Sequence, residues 1–139
     1  MSQAAALFDE GLERYKAGES PQSLIPVFQD VCDRAPRNAS AWSCLAWLYL
    51  LTDKPDKACK AAQKGVKLDP QAPQARINLA LAMLDAGQTG VRQHIQAVQQ
   101  MLGLDAQIRS DIAENIADGL ARKPDWESMH RVKGWLFDS

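Results

Sequence analysis

The sequence predicts an all-α fold of stacked helix-turn-helix repeats. Tyr49 follows Tyr15 by 34 residues, and Pro70 follows Pro36 by the same interval, which is an internal period typical of helical repeat arrays. Within each period, apolar residues recur every three or four positions, as they do on one face of an α-helix. No stretch alternates between apolar and polar residues as a half-buried strand would.

Each period is expected to hold two helices joined by a tight turn. In the second period, Asn38 or Ser40 can cap a helix that ends near Leu51, and Asp53 and Pro55 then cap and begin its partner. The proline that closes the period stops the second helix, because the residue before a proline avoids the helical conformation.

The second period also carries a recognisable motif. Its residues Trp42, Leu45, Ala46, Tyr49, Ala58, Ala62 and Pro70 have the spacing W-x2-L-[GA]-x2-Y, then A-x3-small, then P. This spacing resembles the tetratricopeptide repeat family, and the resemblance extends over roughly residues 5–104. It implies an α-α superhelix, or solenoid, whose concave groove holds a segment of another protein.

The chain is therefore expected to form a single tetratricopeptide-like domain over residues 1–139. The predicted repeats span about 5–36, 39–70 and 73–104, and capping helices span about 105–138. The cap is inferred from Ile108, Ile112, Ile116 and Leu120, which recur every four residues, and from the need to cover the last repeat. Pro26 falls inside the second helix of the first repeat, so that helix is expected to start late or to kink.

One helix of the second repeat has two apolar faces. At about 100° per residue, Trp42 and Tyr49 share one arc, which matches the core positions of the family, and Trp47 points the other way. In tetratricopeptide proteins the second arc lines the concave groove. Projected onto the neighbouring repeats, the predicted groove residues are Asp9, Glu13, Ser43, Trp47, Leu50, Leu51, Ile77, Asn78, Leu81 and Leu84.

This groove is acidic at one end and apolar along the rest, which predicts a protein partner with apolar anchors and a basic flank, as a peptide or a helix. The carboxylate clamp used by some members of the family is not expected, because Asp9 and Glu13 would repel a carboxylate. The alternative is a groove filled by the chain itself, in which Trp47 and its apolar neighbours pack against the C-terminal helices. The protein would then have a structural or oligomerising role.

That alternative has its own docking surface, a lysine stripe that follows one face of the fourth predicted helix. The stripe consists of Lys54, Lys57, Lys60, Lys64 and Lys67. Such a stripe can dock an acidic protein, or it can simply face solvent. It lacks aromatic residues on which bases could stack, so nucleic acid is not favoured as a partner. The sequence leaves open whether the chain forms a homodimer.

Composition argues against an enzyme. The net charge of −1 gives no global attraction to polyanions, and neither His94 nor His130 has a cysteine or carboxylate at metal-ligand spacing. No phosphate loop, nucleophile elbow or zinc-protease motif occurs, so no catalytic residue, metal or cofactor is expected. The three cysteines are odd in number, and no apolar run is long enough for a membrane span, which together predict a soluble cytoplasmic protein.

Overall fold

The computed structural model describes residues 2–138, and over that range the chain forms eight α-helices and no strand. The helices are α1 (Gln3–Lys16), α2 (Pro21–Arg34), α3 (Ala39–Leu51), α4 (Pro55–Leu68), α5 (Pro73–Asp85), α6 (Arg92–Leu104), α7 (Ala106–Arg122) and α8 (Glu127–Phe137). The predicted all-α class is confirmed. Residues 1 and 139, the ends of the expected domain, lie outside the described range.

Each helix packs against the next one in the chain, and α3 also packs against α5. This pattern is that of a helical repeat array, in which each helix pair contacts chiefly its neighbours. Helix α7 keeps this pattern, since it contacts α5 and α6, but α8 departs from it by contacting α5, three helices earlier in the chain. Helix α8 therefore folds back onto an inner helix rather than extending the array.

Side-chain caps begin several helices where the sequence offers a short polar residue. The Asn38 carboxamide accepts a hydrogen bond from the Ala41 amide at 3.0 Å and so caps α3. The expected cap of α4 by Asp53 is wrong. Lys54 precedes that helix, and Asp53 lies in the turn with a φ of 58°, a left-handed conformation that aspartate tolerates better than most residues. The Asp53 carboxylate instead accepts a hydrogen bond from Lys123.

Pro26 does not delay the start of α2, which begins at Pro21 and runs through Pro26 to Arg34. Both the first-turn proline and the Ser20 cap favour the early start. Pro21 lacks an amide at a position where the helix offers no partner for one, and the Ser20 side chain accepts a hydrogen bond from the Ser23 amide. Pro26 is exposed, so water can reach the carbonyl group that loses its hydrogen bond to the missing amide.

The core follows the predicted packing arc of the second repeat. Leu45, Ala46 and Tyr49 are buried on α3, and Trp42 is half-buried at the start of the same arc. The other face of α3 is also covered, because Leu48 and Leu50 are almost completely buried. A helix that is apolar on all sides is stable only when neighbours surround it. Helices α2, α4 and α5 pack around α3, and Gly119 of α7 adds a contact at Trp47.

Candidate functional site

The concave face of the array, formed by α1, α3 and α5, is partly covered by α7. At one end, the Tyr15 hydroxyl of α1 donates a hydrogen bond to the Asp118 carboxylate of α7 at 2.5 Å. At the other end, Asn115 donates to the Gln74 side-chain oxygen at the start of α5, at 2.9 Å. Helix α7 thus crosses the face that the resemblance assigned to a foreign ligand.

Trp47, the central aromatic residue of the predicted groove, makes its contacts within the chain. Its ring lies 5.7 Å from the ring of Trp126, and its indole N–H donates to the Tyr15 hydroxyl at 2.8 Å. Helix α7 can come this close because it presents Gly119 at the contact. A Cβ atom at that position would lie 2.8 Å from the Trp47 ring.

Beyond Trp47, polar contacts hold the segment that joins α7 and α8. The Lys123 ammonium donates to the Leu50 carbonyl at 3.0 Å and to the Asp53 carboxylate at 2.7 Å. The Trp126 indole N–H donates to the Asp85 carboxylate at the end of α5, with distances of 3.1 and 3.2 Å to its two oxygens. The C-terminal helices are therefore tied to the ends of both α3 and α5.

These contacts divide the predicted groove residues into four groups. Leu50, Ile77 and Leu81 are buried within the protein and are not accessible to a ligand in this conformation. Leu51 and Leu84 are half-buried against the core. Asp9 and Glu13 are exposed on α1. Ser43 and Trp47 are half-buried and line a cavity, together with Asn78, which is itself almost completely buried.

The cavity lies on the concave face between α1, α2, α3, α5 and α7 and has a volume of about 180 Å³. Its apolar lining consists of Leu12, Phe28, Cys44, Trp47 and Leu48, and its polar lining consists of Tyr15, Ser43, Gln74, Asn78, Asn115 and Asp118. The half-covering α7 therefore leaves one apolar recess open beside it.

The polar residues around the cavity are fixed by hydrogen bonds to one another. The Asn78 amide donates to the Ser43 carbonyl at 3.0 Å and accepts from Gln74 at 2.7 Å. Burial and the hydrogen bond to Asp118 raise the pKa of Tyr15 to about 12, and Arg122 stacks 4.3 Å from its ring. Burial raises the pKa of the Cys44 thiol to about 12. Tyr15 and Cys44 are thus uncharged at neutral pH, and the recess is suited to binding rather than to proton transfer.

The lysine stripe runs along α4, away from the cavity. Lys57, Lys60, Lys64 and Lys67 are exposed and Lys54 is half-buried. Two of the ammonium groups lie over aromatic rings of α3, Lys57 at 5.9 Å from Tyr49 and Lys64 at 5.3 Å from Trp42. Part of the stripe therefore packs on the neighbouring helix, and the rest faces solvent.

Within residues 2–138, no group of three or more His, Cys, Asp or Glu side chains is placed to hold a metal ion. None of the helices in that range is long and apolar enough to span a membrane. The single buried imidazole, His94, contacts the Arg76 guanidinium at 3.0 Å, and burial lowers its pKa.

Comparison with known proteins identifies a repeat family with this helical architecture. Residues 39–72 match the sequence profile of a family described as the tetratricopeptide repeat. The chain thus carries a tetratricopeptide repeat within the helical-repeat fold of that family, and the resemblance seen in the sequence is confirmed. No curated protein sequence matches the chain.

Two of the solved structures with a similar fold illustrate the match. One is the type III secretion translocator chaperone SycD of Yersinia enterocolitica in an alternative dimer, with a TM-score of 0.68 and 17% identity over 89% of this chain and 94% of that one. The other is the tetratricopeptide domain of Sgt2 from Aspergillus fumigatus, with a TM-score of 0.57 and 18% identity over 95% of this chain and 75% of that one.

The sequence-based site omitted the residues that α7 contributes. The repeat pattern does not include Asn115 and Asp118, because the isoleucine stripe of α7 predicts only a cover for the last repeat. The sequence does contain a signal for a polar edge on α7, because Asp111, Asn115 and Asp118 follow helical spacing. Gly119 interrupts the row of larger residues beside them.

Proposed function

We propose that this chain is a protein-interaction module without catalytic activity, an adaptor, scaffold or assembly chaperone that holds an apolar or amphipathic segment of a partner protein. The segment would lie on the concave face between α1 and α7. The observation that carries the proposal is the open apolar cavity on that face, lined by Ser43, Trp47 and Asn78, three of the residues that the family pattern assigns to its ligand groove.

The comparisons support the general class of protein proposed here, a protein-interaction module. SycD is described as a translocator chaperone, and its fold covers most of this chain. A shared fold does not by itself fix a function, so the proposal depends chiefly on the recess and on the acidic residues Asp9 and Glu13, which are exposed on α1. The free thiols of Cys32, Cys44 and Cys59 support a reducing compartment such as the cytoplasm.

A second candidate function is favoured by the burial of Leu50, Ile77 and Leu81 beneath the chain's own helices. Here the concave face would be permanently filled, and the protein would work as a structural or oligomerising element that docks through its lysine stripe. The exposed lysines of that stripe are the surface on which this function would depend.

Site-specific photo-crosslinking separates the two functions. A photoreactive residue in place of Glu13 reports on the concave face, and the same residue in place of Lys60 is the control on the lysine stripe, since both positions are exposed. The proposal expects a defined crosslinked partner from position 13 and none from position 60. Crosslinks from position 60 alone would establish the second function instead.

The charge-reversed variant Lys57→Glu, Lys60→Glu, Lys64→Glu gives an independent check. Exposed charges contribute little each and are screened by salt, so partner capture at position 13 should be largely unchanged. Complete loss of capture in this variant would mean that the lysine stripe, and not the concave face, carries the interaction.

A further inference from the structure

The recess on the concave face is of the size of a single apolar side chain. Its volume is about 180 Å³. An engineered cavity of roughly 150 Å³ in another protein, lined by leucine, isoleucine and phenylalanine, stays dry and binds benzene. A leucine, methionine or phenylalanine side chain is therefore within the capacity of this recess, whereas a methyl group would leave most of it empty.

Most of the polar side chains that line the recess already have hydrogen-bond partners within the protein. Tyr15, Gln74, Asn78 and Asn115 are engaged by hydrogen bonds within the protein. Among the described residues, no buried side-chain nitrogen or oxygen lacks a hydrogen-bond partner. A polar group on a ligand would compete with these internal hydrogen bonds for its partners, and burying it without a partner would cost free energy. The recess therefore selects an apolar group.

The two helices that border the recess carry exposed acidic side chains. Asp9 and Glu13 form the acidic edge of α1, and Asp111 and Glu114 form that of α7. Over their full lengths, α1 and α7 each have three acidic and two basic residues, and Arg122 donates to Asp118 at 3.0 Å. Each of these two helices therefore has a net charge of −1. Complementary charge on a partner would steer its approach and fix its register.

We infer that the recess is the anchor pocket for one leucine-, methionine- or phenylalanine-sized side chain of a partner peptide that has lysine or arginine on both sides of the anchor. This inference rests on the proposed function and names the chemistry of the partner segment. The anchor enters between Leu12, Phe28 and Leu48, and the basic flanks lie along the two acidic edges.

The pocket itself is tested with benzene as the probe, followed through the NMR signals of the Leu12 and Leu48 methyl groups. Cys44 lines the recess, so Cys44→Leu should fill it and Cys44→Ala should enlarge it. Benzene is expected to shift the methyl signals in the parent protein and in Cys44→Ala, and not in Cys44→Leu. Equal shifts in all three proteins would show that benzene binds elsewhere and would overturn the assignment of the pocket.

The partner chemistry is tested with synthetic peptides that carry lysine flanks and one variable central residue. Leucine and phenylalanine at the centre should bind about tenfold or more tightly than alanine, as expected for several methylene groups entering an apolar pocket. The preference should vanish in Cys44→Leu, whose folding is verified by its unfolding curve. Glutamate flanks should abolish binding at low salt.

The charge requirement has a matched control. Neutralising the edges, with Asp9→Asn and Glu13→Gln or with Asp111→Asn and Glu114→Gln, should weaken binding of the lysine-flanked peptide and reduce its salt dependence. Asp33→Asn with Asp56→Asn, at exposed positions on α2 and α4, should leave binding unchanged. Equal effects of edge and control variants would overturn the basic flank.

Failure of this inference and failure of the proposed function are distinguishable. If the partner crosslinked at position 13 is captured equally well by Cys44→Leu, the concave face binds a partner but the recess is not its anchor pocket. If no partner crosslinks at position 13 and the peptides do not bind, both the proposed function and the anchor pocket are rejected.

Discussion

Trp47 shows how one side chain can serve the fold at a position that the repeat pattern assigns to a ligand. It packs on Trp126 and Gly119 and donates its N–H to Tyr15, and it also lines the open recess. By helical spacing alone, Trp47 lies on the face opposite to the core. The structure gives it contacts on two further helices.

Trp47→Ala should therefore lower the free energy of unfolding by about 3 kcal/mol, toward the lower end of the range for truncating a packed tryptophan. Trp47→Phe, which keeps a ring but loses the hydrogen bond to Tyr15, should cost about 1 kcal/mol. Both values are obtained from urea unfolding followed by circular dichroism. A loss below 1 kcal/mol for the alanine variant would mean that α7 and α8 do not depend on this contact.

Tyr15 should titrate abnormally. Its pKa is raised from 10.0 to about 12 by burial and by the hydrogen bond to Asp118, so the folded state favours the neutral phenol. This contribution to stability is fully present below pH 10 and is lost as the pH rises toward 12. Ultraviolet absorbance should show one tyrosine titrating near pH 12, and that step should disappear in Tyr15→Phe. A Tyr15 midpoint near pH 10 would show that α7 does not shield the hydroxyl.

At the scale of elements, the position of α7 depends on the absence of a side chain at Gly119. An added Cβ atom would lie 2.8 Å from the Trp47 ring, 2.9 Å from the Met129 methyl group and 3.2 Å from the Trp126 ring. Three side chains, from α3, α8 and the turn before α8, converge there. A shift of one to make room for a Cβ atom would therefore press on the other two.

Gly119→Ala should destabilise the protein by about 1–3 kcal/mol through overpacking, although alanine favours a helix more than glycine does. The control is Gly134→Ala in α8, where an added Cβ atom would meet nothing within 4 Å. That variant should be neutral or stabilise by up to about 1 kcal/mol. The two are compared by thermal and urea unfolding, and similar effects would argue against the close approach of α7 to Trp47.

At the scale of the whole molecule, α7 and α8 complete the burial of α5. Ile77 and Leu81 of α5 are almost inaccessible in the intact chain, and α5 contacts both C-terminal helices. Repeat arrays need a terminal element to cover the apolar face of the last repeat, and here that element also covers part of the concave face.

Truncation after Gly103 should therefore lower the stability and the cooperativity of unfolding, and it should expose apolar surface that promotes association. The measurements are urea unfolding, dye binding and size-exclusion chromatography of the truncated and full chains. A truncated protein that stayed monomeric and equally stable, and that bound the leucine-centred peptide more tightly, would show instead that α7 is a removable occupant of the concave face.

The fold class could be predicted from the sequence because its signals are local and repeated. The interval between Tyr15 and Tyr49, the apolar arc of α3 and the Asn38 cap each act within one helix or one repeat. Periodicity therefore determines which residues form helices and which face of each helix enters the core. The acidic character of Asp9 and Glu13 is likewise a property of the sequence alone.

The candidate site was only partly predictable, because its shape depends on where α7 lies. The stripe of Ile112 and Ile116 indicates that α7 must bury one face. It does not indicate which surface covers that face, because an apolar stripe packs equally well on α6 or across the concave face. Tertiary packing decided this: α7 fits beside Trp47 because Gly119 allows close approach, and it is held there by Asp118. The recess of about 180 Å³ is the space left by that packing, so only the tertiary structure could reveal it.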